Sequence, residues 1–176
     1  FLRARQTKIH VFFKKVANKV RLMSDNSELI LLGGSGNGKT EFYDELNSEL
    51  TSKCRFVEGL SFTTPIKDIH KIIIHHLYEY RKKHMEELMQ KYEKLVKEGL
   101  TAKRNNIINR ALKMGSVETL IVSTLFHTKP QFKNILKMLE EAKNTSCRIE
   151  FAMSPKIIQK LEIDDSVLAI LRYKIK

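Results

Sequence analysis

Apolar residues recur at helical spacing close to the start of the chain. They lie about one turn apart, with most basic residues between them, at Ile9, Phe12, Phe13, Val16, Ala17 and Val20. This pattern predicts an amphipathic helix with a cationic face. The apolar run at 27–32 then predicts a strand that ends in glycines, and renewed helical spacing at 41–50 predicts a second helix.

Strand-like and helix-like segments alternate along the rest of the chain. Short β-rich runs predict strands at 54–62, 117–122, 148–153 and 166–175. Helical spacing predicts helices at 65–99, 105–113, 130–142 and 155–161. Because each helix must cover a face of a sheet, the alternation predicts an α/β fold with two sheets.

The helical stretch at 65–99 is longer than an ordinary helix. Residues 81–84 (RKKH) interrupt its apolar rhythm, and we expect one helix to end there and another to begin. We place a domain joint at this interruption. The predicted architecture is two small domains, 1–80 and 81–176, each a mixed β-sheet packed with helices, joined through a long helical segment.

The composition is typical of a soluble globular protein. Of the 176 residues, 42% are hydrophobic and 30% are charged, which excludes collagen-like and low-complexity chains. No apolar run approaches the roughly 20 residues that cross a bilayer, and the first residues lack the apolar middle of a signal peptide. We therefore expect no membrane insertion and no secretion. The two cysteines, Cys54 and Cys147, show no CxxC spacing, which favours a reducing, cytoplasmic setting.

Basic residues outnumber acidic ones by 32 to 20, which gives a net charge of +12. Residues 1–24 contain no acidic residue, and their basic residues are Arg3, Arg5, Lys8, Lys14, Lys15, Lys19 and Arg21. A charged face that only meets solvent normally mixes both signs. The first helix is therefore predicted to contact a polyanion, and a merely solvated face is the alternative.

Residues 33–40 (GGSGNGKT) match the phosphate-binding loop pattern GxxxxGK[ST] between a predicted strand and a predicted helix. In a nucleotide site, the glycines would let backbone N–H groups surround phosphates, Lys39 would neutralise them, and the Thr40 hydroxyl would hold magnesium. The sequence shows no convincing apolar strand that ends in an aspartate to complete the magnesium site. A nucleotide site at Gly33, Gly38, Lys39 and Thr40 and an ordinary strand-to-helix connector both remain open.

Several histidines fall within one helical region, at His70, His75, His76 and His84. Their spacing does not match a common zinc site, and no cysteine or carboxylate completes an obvious ligand set. Histidines on a helix surface or partly packed are the simpler interpretation. We expect neither a metal nor a cofactor.

Three segments resemble the class 1 peptide chain release factors of archaea and eukaryotes. Residues 111–122 (ALKMGSVETLIV) resemble the family's ALxMGAVETLLI passage from a helix into a strand, with Ser116 in place of the usual alanine. Residues 169–173 (AILRY) resemble the closing GGILRY strand, and residues 1–5 (FLRAR) resemble the FxRxR run that opens a basic helix. The matches occur in order from one end of the chain to the other.

This resemblance changes the interpretation of the glycine loop. Residues 32–42 look like the family's LAGSAxxKTEL or LGGPGxxKEEF stretch, which is a structural connector and not a nucleotide site. In this register Lys39 is shared with the family, whereas Gly38 is not typical. One chance glycine would then complete the phosphate-loop pattern.

The resemblance also implies where chemistry would lie in a complete protein. In the family, a Gly-Gly-Gln tripeptide shortly before FxRxR promotes hydrolysis of peptidyl-tRNA, and we expect it upstream of Phe1 in the native gene. No catalytic centre is expected within these residues. Pelota, the ribosome-rescue relative, lacks both Gly-Gly-Gln and the arginine-rich entry, so Arg3 and Arg5 favour a release factor.

The leading hypothesis is therefore a translation termination factor or a piece of one, with part of the middle domain at 1–80 and a C-terminal α/β domain at 81–176. The basic residues of the first helix would contact large-subunit rRNA. The resemblance implies that a translational GTPase docks near the closing strand, with candidates Ile170, Leu171, Arg172 and Tyr173. A small ATP- or GTP-binding protein that uses the glycine loop is the alternative.

Overall fold

A computed structural model describes the backbone of residues 2–175 and the side chains of residues 6–175. The chain divides into two compact units, residues 1–78 and 79–176. The first unit contains α1 (Leu2–Met23), β1 (Ile30–Gly33), α2 (Gly38–Asp44), α3 (Ser48–Lys53) and β2 (Cys54–Val57), and α4 (Ile66–Glu98) begins in it. Strands β1 and β2 form a parallel pair, with Ile30 opposite Cys54.

The core of the first unit forms where α1 packs on α2 and α3. Its buried side chains are Phe42, Leu46, Leu50 and Cys54. Phe13 of α1 meets Phe42 edge to face, with ring centroids 5.6 Å apart. Apolar residues spaced three and four apart on α1 therefore face this core, as the sequence predicted for residues 9–20.

The helix predicted at 41–50 is instead two helices, α2 and α3. Asn47 lies between them in an extended conformation, and its side-chain Oδ1 accepts a hydrogen bond from the backbone N–H of Leu50 at 2.9 Å. Asparagine is among the best residues for this capping position, so it starts a new helix. The apolar spacing continues across the break, which is why the pattern alone did not show it.

The second unit holds the end of α4, then β3 (Thr101–Ala102), α5 (Asn105–Lys113), β4 (Val117–Ser123), α6 (Phe132–Asn144), β5 (Arg148–Ala152), α7 (Pro155–Glu162) and β6 (Val167–Leu171). Its sheet has the strand order β3-β6-β4-β5. Strand β4 runs parallel to β5 and antiparallel to β6, so the sheet is mixed.

Helices cover both faces of this sheet. Because successive strand residues point to opposite faces, Leu120 and Val122 of β4 pack under α5 and α6, whereas Ile121 packs under α4 and α7. Strand β6 alternates in the same way and is buried along its whole length. A strand covered on both faces is largely apolar, as residues 120–122 of β4 and all five residues of β6 are.

The predicted α/β class with two small sheets is confirmed, while several element boundaries were wrong. Helix α4 runs without a break through 81–84, because a polar run without glycine or proline is compatible with a helix. The strand predicted at 54–62 ends at Val57, before Gly59 with its positive φ of 77°. The closing strand ends at Leu171 rather than 175, and the sequence did not reveal the two residues of β3.

Candidate functional site

The outer face of α1 carries the basic residues that the sequence singled out. Lys8, Lys14, Lys15, Lys19 and Arg21 are all exposed, and none forms an ion pair with another residue whose side chain the structure describes. The side chains of Arg3 and Arg5 lie outside the described residues. Five unpaired cations on one helix create a positive field that favours a polyanion.

Helical spacing arranges these cations in two rows. Lys8, Lys15 and Lys19 are separated by seven and four residues and therefore lie on one side of α1, whereas Lys14 and Arg21 share another. The exposed ring of Phe12 lies beside the first row by its helix position. His10 of α1 contacts the carboxylate of Glu45 in the same unit, close to the core-facing side. The core therefore fixes which way the lysines point.

The glycine loop connects β1 to α2, the position that a phosphate-binding loop would occupy. Lys39 does not extend freely from it, because its Nζ lies 2.7 Å from Oε1 of Glu58. Glu58 directly follows β2, the parallel neighbour of β1, and sequence reasoning missed it because the strand was predicted to continue to 62. A correct prediction that β2 ends at Val57 would have identified Glu58 as the first residue after the strand. The lysine thus has a local structural partner.

The backbone does not require a glycine at position 38. Gly38 is the first residue of α2, has no positive φ, and an added Cβ would meet nothing within 4 Å. Gly33 differs, because a Cβ there would lie 2.3 Å from Cδ1 of Leu60. Gly38, which completes the phosphate-loop pattern, could therefore be replaced by another residue without strain. This agrees with the interpretation of the loop as a structural connector.

The two strongest sequence matches, 111–122 and 169–173, come into contact in the second unit. The Arg172 guanidinium donates from Nη1 to the Gly115 carbonyl and from Nη2 to the Ser146 carbonyl, both at 2.9 Å. The Tyr173 hydroxyl donates to the Met114 carbonyl at 2.6 Å. These bonds tie the end of β6 to the turns that follow α5 and α6. Both residues therefore have a structural task as well as exposed surface.

The remaining GTPase candidates lie inside the sheet. Ile170 is 0% exposed and Leu171 is 3% exposed, so a partner would reach neither side chain without opening the fold. Tyr173 is 46% exposed. Of the closing segment, Arg172 and Tyr173 thus present the accessible surface.

The histidines of α4 do not assemble with other ligands. Within the described part of the chain, no group of three or more His, Cys, Asp or Glu side chains is placed to hold a metal ion. His84 instead lies 3.3 Å from Glu150 and stacks near Tyr80. Among the described helices, none combines the length and the apolar character needed to cross a membrane.

Solved structures resemble this arrangement over almost the whole chain. Archaeal Pelota, in a model of ribosome-bound Pelota and ABCE1, matches 94% of the chain with a TM-score of 0.74 at 20% identity. Saccharomyces cerevisiae Dom34, a translation termination-like factor involved in RNA quality control pathways and interacting with Hbs1, matches 96% with a TM-score of 0.66 at 14% identity. The chain has the fold of the matching parts of Pelota and Dom34.

The likeness to Pelota is partial in one respect: the chain spans 49% of the Pelota chain and 54% of Dom34. The C-terminal domain of a peptide chain release factor from Methanosarcina mazei also matches, over 64% of this chain and 98% of that domain, with a TM-score of 0.50 at 13% identity. No protein-family model and no curated protein sequence matches the chain. The resemblance inferred from three short segments is thus confirmed as a likeness of fold.

Proposed function

We propose that this chain belongs to a translation termination or ribosome-rescue factor and supplies its contacts to rRNA and to a translational GTPase. The observation that carries the proposal is the likeness to ribosome-bound Pelota over 94% of the chain. The sequence matches at 1–5, 111–122 and 169–173 point to the same class of protein independently of the fold. With the ribosome as its partner, the expected location is the cytoplasm.

In this proposal the two parts of the chain have different tasks. Residues 1–80 correspond to the part of a middle domain that follows Gly-Gly-Gln, and residues 81–176 correspond to a C-terminal domain. The chemistry of these residues is binding, without a catalytic centre. Peptidyl-tRNA hydrolysis would require the tripeptide from a longer chain.

The basic face of α1 is the proposed rRNA contact. Its lysines are exposed and lack carboxylate partners among the described side chains, so each can displace a counterion from a phosphate. The core contacts of Phe13 and Val16 hold the opposite side of the helix against the first unit. The cationic rows therefore face outward without any rearrangement of the fold.

Fluorescence anisotropy with a large-subunit rRNA fragment tests this contact across a salt series. Replacing Lys8, Lys15 and Lys19 by glutamine should lower the slope of log affinity against log salt by about 2, at roughly 0.7 per contact. A matched control replaces Lys94, Lys97 and Lys156, which are exposed on α4 and α7, and should leave the slope nearly unchanged. Equal losses in the two triple variants would show that only net charge matters and would refute the α1 contact.

The second proposed contact is a translational GTPase of the Hbs1 or class 2 release factor type. Dom34, which shares the fold, interacts with Hbs1. The accessible part of the closing segment is the exposed ring of Tyr173 and the guanidinium of Arg172. We place the docking surface around these two residues, with Ile170 and Leu171 supporting them from within the sheet.

Tyr173 allows docking to be separated from stability. Tyr173→Phe and Tyr173→Ala both lose the hydrogen bond to the Met114 carbonyl, but only the alanine variant loses the exposed ring. If the ring contacts the GTPase, the phenylalanine variant should retain binding to the purified GTPase and the alanine variant should lose about tenfold or more, in the usual range for an aromatic interface anchor. Equal affinity of both variants and the wild type would move the docking site elsewhere.

A further inference from the structure

A second cationic surface lies in the second unit, on the outer side of α5 and α6. We propose that this α5–α6 face binds the phosphate backbone of double-stranded RNA. Its exposed basic side chains are Arg110, Lys113, Lys133, Lys137 and Lys143. The acidic residues on these two helices are Glu140 and Glu141. The proposal does not depend on α1, which belongs to the first unit.

The basic side chains of the α5–α6 face are unpaired, whereas two lysines on the other side of the same sheet pair with carboxylates. None of its five basic side chains forms an ion pair with any residue in the described range 6–175. On the α4 and α7 side, Lys91 lies 2.6 Å from Glu118, and Lys160 lies 2.9 Å from Glu93. The five basic side chains of the α5–α6 face are therefore free to meet an external anion.

The helix geometry places two of these lysines at a similar level on neighbouring helices. Strands β4 and β5 are parallel and directly follow α5 and α6 on one face of the sheet, so the two helices run in the same direction. The Asn109 side chain donates to Oδ1 of Asn134 at 3.1 Å and marks a common level across the seam. Lys113 lies four residues beyond Asn109, and Lys137 lies three beyond Asn134. Both therefore stand about one turn further on, at a similar level on the exposed outer side of the two helices.

Two like charges at one level repel each other, and a bound phosphate would relieve that repulsion. The amide groups of Asn106 and Asn109 lie on the same side of α5 as Lys113 and can donate to phosphate oxygens. No aromatic side chain of α5 or α6 is exposed within the described residues. Aromatic residues supply base stacking on single strands and anchor many protein interfaces, so their absence from this face favours an RNA duplex backbone.

The test uses the full chain with Lys8, Lys15 and Lys19 already replaced by glutamine, so that the remaining RNA affinity is measured. The probe is a fluorescein-labelled RNA hairpin of about 16 base pairs, roughly the length that a duplex-binding module spans. Lys113→Gln with Lys137→Gln should weaken binding about tenfold at about 0.1 M salt and lower the salt slope by about 1.8, at roughly 0.9 per duplex contact. The control pair is Lys94→Gln with Lys156→Gln, which removes the same charge from the α4 and α7 side.

The outcomes separate the possible occupants. A larger loss for the Lys113 and Lys137 pair than for the control pair supports the RNA assignment, whether or not the substitutions on α1 had any effect. Equal affinities and slopes for the two pairs overturn it. Loss of binding to poly-glutamate with unchanged RNA affinity would identify an acidic protein as the occupant, and the RNA assignment would be wrong.

Discussion

Replacing Arg172 should destabilise the second unit, because this side chain holds two turns at once. Its guanidinium donates to the carbonyls of Gly115 and Ser146, and its backbone N–H donates to the Ser116 carbonyl at 2.7 Å. Gly115 and Ser146 both have positive φ, 65° and 52°. Ser146 is not a glycine, so its left-handed conformation is unfavourable for the backbone alone, and the guanidinium helps to hold it. The bonds also lie at the carboxyl ends of α5 and α6, where a positive charge is favourable.

The magnitude follows from the two side-chain bonds. A hydrogen bond from a charged donor contributes about 1.5–3 kcal/mol when well protected, and less where water can replace the partner. Arg172 is exposed, so we expect Arg172→Met to lower the free energy of unfolding by about 1.5–2 kcal/mol. Arg172→Lys keeps the charge but cannot reproduce the planar fork that reaches two carbonyls, and should cost about half as much.

Urea denaturation followed by circular dichroism measures the effect, with an unchanged slope showing that stability alone has altered. Arg110→Met is the matched control, since that exposed arginine donates no side-chain hydrogen bond within the described residues. The control should stay within about 0.5 kcal/mol of the wild type. A free energy of unfolding for Arg172→Met equal to that of the control would refute the stabilising role of the two Arg172 side-chain hydrogen bonds. If these hydrogen bonds stabilise the second unit, an Arg172 variant can lose GTPase binding simply because it is less stable. Its binding must therefore be measured under conditions in which the variant is folded.

A buried thiol, the core of the second unit and the glycine loop each give a further prediction. Burial raises the pKa of the Cys147 thiol to about 11 from 9.0. At pH 8 its thiolate fraction, and with it the rate of iodoacetamide alkylation in the folded chain, should be about 100-fold below that of an unperturbed thiol. An alkylation rate like that of the urea-unfolded chain would contradict this. Ile121→Ala should lower the free energy of unfolding in urea by about 2–5 kcal/mol, against less than about 1 for Leu136→Ala at the surface, and equal losses would refute the assigned core. Gly38→Ala should leave stability unchanged or raise it by up to about 1 kcal/mol, because it adds a better helix former without strain. Lys39→Ala should lower the free energy of unfolding by less than about 1 kcal/mol. Calorimetric titrations with magnesium-ATP or GTP should show no binding to the wild type or to the variant. Micromolar binding to the wild type that Lys39→Ala abolishes would support the nucleotide-site hypothesis instead.

Local pattern in the sequence determined which segments became helices and strands. The apolar spacing of residues 9–20 predicted both α1 and the face that it buries, because helix period and core contact express the same geometry. The β-rich run at 117–122 likewise predicted the strand that the structure shows as β4. Charge patterning alone was enough to predict the cationic face of α1, since a run without acidic residues cannot neutralise itself.

Only the tertiary structure decided which residues from distant segments meet. The pairing of Lys39 with Glu58 depends on β2 ending at Val57 beside β1, and the apolar residues Leu60 and Phe62 beyond it concealed that end. Arg172 reaches Gly115 and Ser146 because β6 lies beside β4 in the sheet, a pairing that no local pattern encodes. The hydrogen bond between Asn109 and Asn134 across α5 and α6 arises in the same way, because the parallel order of β4 and β5 sets the two helices side by side. Periodicity fixes the face of each element, whereas the contacts between elements depend on how the sheet orders its strands.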